Sequence, residues 1–433
     1  MENLQVIIMA GGKGTRIRSV ADDIPKPMIP IAGKPLLERQ IEFFARNGIL
    51  EITISIGYLG HIIKEYLGNG ERFGVRIRYI DETSPLGTAG ALRFSAPDPE
   101  LLLVVNGDIL FDFDLERMVT YHREKHADIT LFTHPNQHPY DSAIIIADSD
   151  GRIVQWLNKE ELREDVPNRV NAGIHLIQRE VLDFGSPVWD KQIVDLDREI
   201  LKPNIRNKRM FAYDSPEYVK DMGTPERLRQ VEKYFAAGIV AARNMRNKQK
   251  AVFLDRDGTI NRYVGYVSKP EQLELLDGAA EAIRRINRSP YLAIVVSNQP
   301  VIARGECSFE EMRKIHNRLE MLLGDEGAYL NAIDFCPHHL DSGFQGEVKK
   351  LKIDCVCRKP KPGMLIRMAE RYNINLSASW MIGDSWRDME AGISAGCRTV
   401  YIGDGNDNTV KATYMVRNVL EGINRIFMMC DYV

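Results

Sequence analysis

The chain is poor in several features that would settle its class at once. It has six cysteines in 433 residues, too few for a disulfide scaffold, and its 57 basic residues nearly balance its 60 acidic ones. No apolar run reaches the roughly 18 residues of a membrane-spanning helix. No internal repeat or low-complexity tract is visible. These absences argue against a disulfide-rich secreted protein, a membrane protein and a nucleic-acid-binding protein.

Strand-like runs rich in valine and isoleucine alternate with amphipathic helical patterns in both halves of the chain. In the first half we predict strands at Val6–Met9 and Ile52–Ile56, with a helix at Leu36–Asn47 between them. The second half resumes this rhythm with strands at Ala251–Leu254 and Leu292–Val296. Such alternation is typical of βαβ units, so we predict an α/β fold with a Rossmann-like, mostly parallel sheet in each half.

The length of the chain and a basic stretch near its middle indicate two domains. An amphipathic helix is predicted from Pro225 to about Met245, and Arg243–Lys250 follows as a linker. A boundary near 240–249 then gives domains 1–240 and 250–433. No basic leader precedes the first strand, and the few cysteines suit a reducing compartment, so we expect a cytoplasmic protein. The sequence leaves the oligomeric state open.

The first half opens with AGGKGTR at 10–16, a glycine-rich turn directly after the first predicted strand. Without side chains, glycines let backbone N–H groups close around the phosphates of a nucleotide. The residues predicted to bind a nucleotide in this turn are Gly11, Gly12, Gly14 and Thr15. The turn matches neither the dinucleotide fingerprint nor the ATPase loop, because the third glycine of the first and the Gly-Lys-Ser/Thr of the second are missing.

Charged residues near this turn suit a triphosphate and its metal ion. Arg16 can bind phosphate oxygens through its fork of N–H groups, and Lys26 offers a point charge in a rigid Pro-Lys-Pro run. Asp108 follows an apolar strand at the position where open sheets bind ligands, and Asp221 can supply a second carboxylate. We predict that Asp108 and Asp221 bind Mg²⁺.

The ordered set of motifs in residues 1–235 resembles the sugar-1-phosphate nucleotidyltransferase family. The motifs are AGGKGTR at 10–16, PKP at 25–27, LGTAG at 86–90, NGD at 106–108, NAG at 171–173 and KDMGTP at 220–225. The resemblance implies that an oxygen of a sugar 1-phosphate attacks the α-phosphorus of a nucleoside triphosphate. Pyrophosphate leaves and an NDP-sugar forms, with Arg16 and Lys26 holding the triphosphate.

The same resemblance implies subsites for the base, the ribose and the sugar. The residues expected to line the base and ribose are Leu86, Gly87, Thr88 and Gly90. Lys159 would approach the sugar phosphate, and Asn171 with Gly173 would contact the sugar. Relatives often have Glu-Lys-Pro around this lysine, whereas this chain has Asn-Lys-Glu, so a solvated surface lysine is the alternative for Lys159.

The second half carries two carboxylates in FLDRDGT at 253–259, directly after a predicted strand. An aspartate can attack phosphorus to form an aspartyl phosphate. A second carboxylate nearby can protonate the leaving alcohol and later activate water. We therefore predict Asp255 as the nucleophile and Asp257 as the general acid and base.

Further residues complete a site for phosphoryl transfer. Ser297 and Lys359 would neutralise the transferring phosphoryl oxygens, and Asn298 would contact the substrate. Another carboxylate lies in GDSWRD at 383–388. The predicted ligands of Mg²⁺ in this half are Asp255, Asp257 and Asp384. Together these motifs resemble the haloacid dehalogenase phosphatases.

Two short turns between these motifs have the spacing of metal ligands. One is a Cys-x-His turn and the other a Cys-x-Cys turn, and together they offer a closed tetrahedral set of the kind that binds structural zinc. The predicted zinc ligands are Cys336, His338, Cys355 and Cys357. His339 could replace His338 as the fourth ligand, and the sequence does not decide between them.

Zinc-loop phosphatases of this branch act on histidinol phosphate or on heptose bisphosphate. The long stretch between Cys336 and Cys355 and the run CRKPKPGM at 357–364 resemble the heptose enzymes. A bisphosphate needs a second anion site, for which Arg304 and Arg358 are the candidates. The alternative is that both arginines pair with nearby carboxylates.

The two resemblances together imply consecutive steps towards a nucleotide-activated heptose. A heptose 1,7-bisphosphate 7-phosphatase yields a heptose 1-phosphate, which is the class of acceptor that the transferase needs, and resembling transferases for the α-anomer use GTP. One alternative is a mannose or glucose 1-phosphate nucleotidyltransferase joined to a histidinol-phosphate-type phosphatase. Another is a catalytically silent sugar-nucleotide sensor, against which the intact carboxylate pairs argue.

Overall fold

A computed structural model describes residues 4–12, 23–96, 99–403 and 410–428. The chain forms two compact units. Unit 1 comprises 1–134, 145–156 and 171–244, and unit 2 comprises 135–144, 157–170 and 245–433. Two short segments from the first half of the sequence, 135–144 and 157–170, therefore pack with the second half. A single boundary near 240–249 would place both segments in the first domain.

Unit 1 contains a nine-stranded sheet and two two-stranded ribbons. Its strands are β1 (Leu4–Ala10), β2 (Pro30–Ile31), β3 (Lys34–Pro35), β4 (Glu51–Ile56), β5 (Arg76–Asp81), β6 (Leu101–Asn106), β7 (Ile109–Asp112), β8 (Ile129–His134), β9 (Ile144–Ala147), β10 (Ile153–Leu157), β11 (Val170–Gln178), β12 (Met210–Asp214) and β13 (Tyr218–Asp221). Its helices are α1 (Leu36–Arg46), α2 (Gly60–Leu67), α3 (Leu115–Glu124), α4 (Pro225–Ala236) and α5 (Ile239–Ala242).

The central strands of unit 1 are parallel. The main path of the sheet runs β10-β9-β11-β6-β1-β4-β5, with β8 beside β11 and β12 beside β8. Strand β1 runs parallel to both β4 and β6, and Val6 lies opposite Ile52 on one side and Leu103 on the other. Because parallel strands point the same way, the carboxyl ends of β1, β4 and β6 meet at one edge of the sheet.

The amphipathic helix predicted from Pro225 to about Met245 is two helices. Helix α4 begins at Pro225 as expected, because the side chain of Thr224 caps it by accepting the N–H of Arg227 at 3.3 Å. Gly238 then adopts a φ of +71°, a left-handed conformation that glycine takes at little cost. The prediction of one continuous helix is wrong because the chain turns at this glycine between α4 and α5.

The stretch Arg243–Lys250, predicted as a linker, is partly buried and spans the division between the two units at Asn244 and Met245. Arg243 and Asn244 are 4% and 8% exposed, and Asn244 donates to Asp112 at 2.7 Å. Gln249 is 1% exposed. The predicted linker therefore contains the point where the chain passes from unit 1 to unit 2, and part of it is buried.

Unit 2 is built on a six-stranded sheet in which every neighbouring pair is parallel. Its strands are β14 (Lys250–Leu254), β15 (Tyr291–Asn298), β16 (Ala332–Cys336), β17 (Trp380–Gly383), β18 (Arg398–Ile402) and β19 (Tyr414–Val416). Its helices are α6 (Ala279–Asn287), α7 (Phe309–Asp325), α8 (Gly363–Tyr372), α9 (Trp386–Ser394) and α10 (Val419–Met428). The order is β16-β15-β14-β17-β18-β19. The prediction of α/β folds with mostly parallel sheets is confirmed.

Helix α7 of unit 2 holds the segments 135–144 and 157–170. Glu320 on this helix is 5% exposed, and its carboxylate accepts the N–H of Asn168 at 3.0 Å and Arg169 Nη1 at 2.9 Å. Asn317 Nδ2 donates to the carbonyl of Asp165 at 2.6 Å. A buried carboxylate is tolerated when it is paired in this way.

Within the described ranges, no helix combines the length and the hydrophobicity needed to cross a bilayer.

Candidate active sites

Unit 1 has a cavity of about 740 Å³ at the edge where β1, β4 and β6 end. Backbone and side chains from the loops after these strands line it. Among the lining residues are Gly11, Gly12, Lys26, Tyr58, Glu82, Gly87, Thr88, Asn106 and Asp108. The cavity is large enough for a nucleotide and lies where open parallel sheets bind ligands.

Glycines in this cavity allow close approaches that a side chain would block. A methyl group at Gly11 would lie 2.5 Å from Glu82 Oε1, and one at Gly87 would lie 2.4 Å from the carbonyl oxygen of Val194. Gly87 also has a φ of +80°. Leu86 donates its N–H to Glu82 Oε2 at 3.2 Å, and Gly90 is buried at the start of a short helical turn. The predicted Gly14, Thr15 and Arg16 lie outside the described residues.

Lys26 and Asp108 form an ion pair at the cavity wall, with the lysine side chain 10% exposed. The carbonyl of Asp108 accepts the N–H of Met222 at 3.0 Å, which brings Asp221 to the neighbouring position on β13. Arg227 Nη1 lies 2.8 Å from Asp221. Burial disfavours ionisation of Asp221, but Arg227 outweighs it and lowers the pKa of the carboxyl. The backbones of the two predicted metal ligands therefore lie close together, and the carboxylate of Asp221 is bound by Arg227.

The predicted sugar-contacting residues sit in a buried polar network. Asn171 Oδ1 accepts the N–H of Gly173 at 3.1 Å and His175 Nε2 at 3.0 Å, while its Nδ2 donates to Asp197 at 3.3 Å. Burial lowers the pKa of His175 to about 3, so the ring is neutral and donates through Nε2. A methyl group at Gly173 would lie 2.4 Å from Asn106 Nδ2. This contact joins the network to the wall of the nucleotide-sized cavity.

Asp197 belongs to this network but was not among the predicted site residues. Burial, reinforced by Asp195, raises the pKa of Asp197 to about 7. It lies in a run without a recognised motif, so only the folded chain brings it to Asn171. Lys159, by contrast, is exposed after β10 in the segment 157–170, and its predicted contact with a sugar phosphate stays a prediction.

Unit 2 gathers three carboxylates at the carboxyl edge of its sheet. Asp255 follows β14, Asp384 follows β17, and Asp388 lies in the first turn of α9. One carboxylate oxygen of each lies within 4.8 Å of the others. A methyl group at Gly258 would lie 2.0 Å from Asp384 Oδ2, so a glycine is needed for this arrangement. Asp388 was not among the predicted metal ligands.

A single buried lysine faces this carboxylate cluster. Lys359 is 2% exposed, and its Nζ lies 2.8 Å from Asp255 Oδ1, 2.5 Å from Asp388 Oδ1 and 2.8 Å from the carbonyl of Val296. Burial opposes its charge, but the two carboxylates outweigh burial and raise the pKa of Lys359. The backbone of Lys359 is tied to Asn298 by two hydrogen bonds of 3.0 Å. The amide of Asn298, predicted to touch substrate, therefore positions this lysine.

The carboxylate cluster has more negative charge than the lysine balances. Burial, followed by repulsion from Asp255, raises the pKa of Asp384 to about 6. The same two causes raise the pKa of Asp388. Oxygen ligands with unbalanced negative charge are what a divalent cation such as Mg²⁺ requires, so the residues fit that ion.

Asp257 is not part of the three-carboxylate cluster, although it was predicted to bind Mg²⁺. Its carboxylate accepts Arg256 Nη2 at 2.9 Å, Asn261 Nδ2 at 2.9 Å and Gln299 Nε2 at 2.9 Å. Burial disfavours its ionisation, but Arg256 outweighs burial and lowers the pKa of Asp257. These donors turn the side chain away from the cation cluster, in which Asp388 takes the third place.

The four predicted zinc ligands lie together. The sulfur atoms of Cys336 and Cys357 are 3.2 Å apart, those of Cys355 and Cys357 are 3.3 Å apart, and His338 Nδ1 lies 3.4 Å from the sulfur of Cys357. These separations are close to the edges of a tetrahedron around a zinc ion with bonds of roughly 2.0–2.3 Å. His339 instead lies 3.5 Å from Asp341. His338 is therefore the histidine of the cluster, and the four residues fit zinc.

Two arginines near the zinc cluster have no acidic partner among the residues that the structure describes. The guanidinium of Arg304 lies between the rings of Tyr266 and Phe344, 4.3 and 4.5 Å from their centroids. Arg358 donates to the carbonyl of His338 at 3.0 Å, and burial lowers its pKa. Neither arginine has a carboxylate within 4.0 Å in the part of the chain that the structure describes. The alternative that both simply pair with carboxylates is thus not seen.

Comparisons with known proteins divide the chain in the same order as its motifs. The nucleotidyl transferase family model matches residues 5–237, and the HAD-hydrolase-like model matches residues 356–422. The second half is similar to D-glycero-beta-D-manno-heptose-1,7-bisphosphate 7-phosphatase of Pasteurella multocida, with 39% identity over 40% of this chain and 93% of that protein.

The first half is similar to two kinds of guanylyltransferase. D-glycero-alpha-D-manno-heptose 1-phosphate guanylyltransferase of Aneurinibacillus thermoaerophilus is 30% identical over 53% of this chain and 97% of that protein. Mannose-1-phosphate guanylyltransferase of Mycobacterium tuberculosis is 31% identical over 52% of this chain and 62% of that protein. The chain belongs to the nucleotidyl transferase family and carries, in its second half, a phosphatase of the HAD-hydrolase-like family.

Proposed function

We propose that the chain is a bifunctional enzyme of nucleotide-activated heptose biosynthesis. Its phosphatase removes the 7-phosphate of D-glycero-D-manno-heptose 1,7-bisphosphate. Its transferase, in domain 1–240, joins GTP to D-glycero-α-D-manno-heptose 1-phosphate and releases pyrophosphate and GDP-heptose. The observation that carries the proposal is that relatives named for two consecutive heptose steps match the two halves of one chain over 97% and 93% of their own lengths.

In the phosphatase, Asp255 would attack phosphorus and form an aspartyl phosphate. Lys359 would balance the charge of the phosphoryl oxygens, and Ser297 would donate its hydroxyl to one of them. Asp257 would protonate the leaving alcohol and then take a proton from the attacking water. Mg²⁺, when held by Asp255 and its cluster partners, supplies positive charge to the phosphoryl group.

The second phosphate of the substrate would bind Arg304 and Arg358. Arg304 is held between two aromatic rings with its charge unpaired by any described carboxylate, which is a rigid and available anion site. A monophosphate such as histidinol phosphate would leave this site unused. Two guanidinium groups without a carboxylate partner among the described residues therefore favour a bisphosphate over the histidinol-type alternative.

In the transferase, Lys26 would contact the triphosphate, and Asp108 with Asp221 would hold Mg²⁺. Asn171 and Gly173 would contact the sugar, and the network around them fixes the asparagine amide. Lys26 is paired with Asp108 at present, so a triphosphate with its cation would replace this ion pair. Zinc in the tetrad would be structural, and its thiolate ligands suit the reducing cytoplasm.

The relatives disagree on the anomer, and mannose is the second candidate sugar. The phosphatase relative is named for the β-anomer and the transferase relative for the α-anomer, so the two steps connect only if one half departs from its relative. A mannose transferase is as identical to the first half, at 31% against 30%, although only 62% of its own length is covered against 97%. The similarity of the second half to a heptose bisphosphate phosphatase favours heptose over mannose as the sugar of the transferase. Mannose has no seventh carbon, so it cannot carry the 7-phosphate that such a phosphatase removes.

The proposal is tested by a competition among acceptors. Full-length protein is incubated with Mg²⁺, GTP and an equimolar mixture of heptose 1-phosphate anomers, mannose 1-phosphate and glucose 1-phosphate, and the nucleotide sugars are separated by mass. We expect GDP-heptose from the α-anomer to dominate. Preference for mannose 1-phosphate by a wide margin would contradict the assignment of the first half, and replacing GTP with each other NTP tests the base.

A further inference from the structure

Gln299, to which the sequence analysis gave no role, connects two residues of the phosphatase site. It follows β15, its side chain is 1% exposed, and its Nε2 donates to Asp257 Oδ2 at 2.9 Å and to Ser297 Oγ at 2.8 Å. An amide nitrogen carries two hydrogens, so both bonds can form at once. Trigonal geometry at the nitrogen then fixes the angle between the carboxylate and the hydroxyl.

The bond from Gln299 determines what the hydroxyl of Ser297 can do. Its oxygen accepts a hydrogen from Gln299, so its own hydrogen is left to donate. Ser297 is 1% exposed, and within the described residues that hydrogen has no acceptor. The preceding residue, Val296, accepts from Lys359 through its carbonyl, so the serine lies beside the lysine that faces the carboxylate cluster. A phosphoryl oxygen bound there would be the missing acceptor.

The backbone holds Gln299 in place from the other side. Its N–H donates to the carbonyl of Cys336 at 2.8 Å, and Asn298 lies opposite Cys336 in the pairing of β15 with β16. The main chain of Gln299 is therefore anchored to the end of β16, and its side chain reaches Asp257. A glutamine with all these bonds has little rotational freedom.

We infer that Gln299 is a positioning residue that sets the carboxylate of Asp257 against the hydroxyl of Ser297. The inference rests on the proposed phosphatase chemistry. Asp257 must carry a proton when the substrate is bound, although Arg256 lowers its pKa in the substrate-free site. As Asp255 bonds to phosphorus, the bond from phosphorus to the alcohol oxygen breaks and that oxygen takes this proton from Asp257. Water then attacks phosphorus and gives a proton to Asp257, and the bond to Asp255 breaks to release phosphate. Both proton transfers require the carboxylate to stay within hydrogen-bond reach while the phosphoryl group is held.

The test compares two substrates in the full-length protein. Gln299→Met keeps the volume and removes both donors, and Gln299→Glu keeps the shape but places a second carboxylate beside Asp257. Single-turnover rapid quench measures formation of the aspartyl phosphate from heptose 1,7-bisphosphate and from p-nitrophenyl phosphate. Nitrophenolate leaves without a proton, so only the sugar substrate depends on Asp257 in this step.

For both variants we expect formation from the sugar substrate to slow by about 30- to 100-fold, the effect of a misplaced group. Formation from p-nitrophenyl phosphate should slow by less than about fivefold, because Ser297 keeps its place at the end of β15 and its hydroxyl can still donate to a phosphoryl oxygen. KM for the sugar should change little, because Gln299 does not touch the substrate. Gln345→Met, at an exposed glutamine of the same unit, should match the wild type. The guanylyltransferase rate and the melting temperature report whether each variant is folded.

Equal slowing with both substrates, or rates within twofold of the wild type with both, would overturn the inference. If Gln299→Met does not fold, Gln299→Glu decides alone. Failure of the proposed function has a different signature. A wild type that cleaves p-nitrophenyl phosphate but not heptose bisphosphate contradicts the heptose assignment, and the comparison is then made with a hexose phosphate that it does cleave.

Discussion

Lys359 Nζ lies 2.8 Å from Asp255 Oδ1, in a position where the lysine side chain is 2% exposed. The other two donors of the ammonium go to Asp388 and to the carbonyl of Val296. The buried ammonium of Lys359 therefore holds the proposed nucleophile in place and also balances the negative charge of Asp388 in the same cluster. This relationship connects the activity of unit 2 to its stability.

Replacing Lys359 with methionine should damage both properties. Loss of one fixed donor to the phosphoryl group should lower phosphate release by about 10²- to 10³-fold. Asp388 would be left buried without its cation, which should lower the free energy of unfolding by roughly 3 kcal/mol. Urea denaturation and phosphate assays measure the two effects. Lys361→Met, which removes an exposed lysine paired with Asp354, is the control and should change neither.

Single substitutions should separate the two activities. Asp255→Asn removes the nucleophile and should lower phosphate release by roughly 10⁴-fold or more. Pyrophosphate release from GTP should continue in this variant when heptose 1-phosphate is added as the acceptor. Asp108→Ala should do the reverse, because it removes a carboxylate from the nucleotide cavity and leaves unit 2 untouched. Both products are measured in each variant. A folded variant that loses both activities would contradict the assignment of one site to each unit.

Acid should weaken the binding of Mg²⁺ to unit 2. Asp384 has a pKa raised to about 6, so below that value protons compete with the cation. A raised carboxyl pKa also means that the folded protein binds more protons than the unfolded chain. The contribution of Asp384 to the stability of the metal-free protein should therefore be lost as the pH rises from about 4 to about 6.

Competition between protons and Mg²⁺ is tested by calorimetric titration between pH 5 and pH 8. The titration uses the Asp108→Ala variant, which leaves the site of unit 2 intact. Affinity should fall steeply below about pH 6. The variant Asp384→Asn should bind weakly at every pH and should reduce the pH dependence of the metal-free melting temperature, while the part that comes from Asp388 remains. An affinity in the parent that stays constant from pH 7 to pH 5 would show that protons do not compete at this site.

The two neighbouring histidines should differ in their effect on zinc. His338→Ala removes a member of the Cys/His cluster, so purified protein should lose most of its zinc and melt at a lower temperature. His339→Ala is the matched control and should keep one zinc per chain, because this ring faces Asp341 instead. Elemental analysis and thermal unfolding measure both. Zinc lost from the His339 variant and kept by the His338 variant would reverse the assignment.

Motifs that are contiguous in the chain could be predicted from the sequence. Asp255 and Asp384 each end an apolar run, and parallel strands bring such ends to one edge. The four-residue zinc pattern is likewise carried by two short turns. Asp388 was missed although it lies in the same motif as Asp384. Its position depends on a capping box in which its carboxylate accepts the N–H of Ser385 at 3.0 Å, a local geometry that the motif did not suggest.

Features that depend on distant parts of the chain could not be predicted. Asp197 meets Asn171 through the fold of unit 1, and Gln299 meets Asp257 across two strands of unit 2. The segment 157–170 joins unit 2 because Glu320 of α7 binds Asn168 and Arg169, and Asn168 in turn donates to the carbonyl of Asn136 in the segment 135–144. No local pattern marks these partners, since each is an ordinary polar residue until the chain folds.

The most direct test of the central claim supplies one substrate for both units. Full-length protein receives synthetic heptose 1,7-bisphosphate of each anomer, GTP, Mg²⁺ and zinc, and the products are identified by mass spectrometry over time. The account predicts inorganic phosphate and heptose 1-phosphate first, then pyrophosphate and GDP-heptose, with Asp255→Asn blocking both stages and Asp108→Ala blocking only the second. Release of phosphate from position 1, or failure of both anomers to yield GDP-heptose while GDP-mannose forms readily from mannose 1-phosphate, would contradict it.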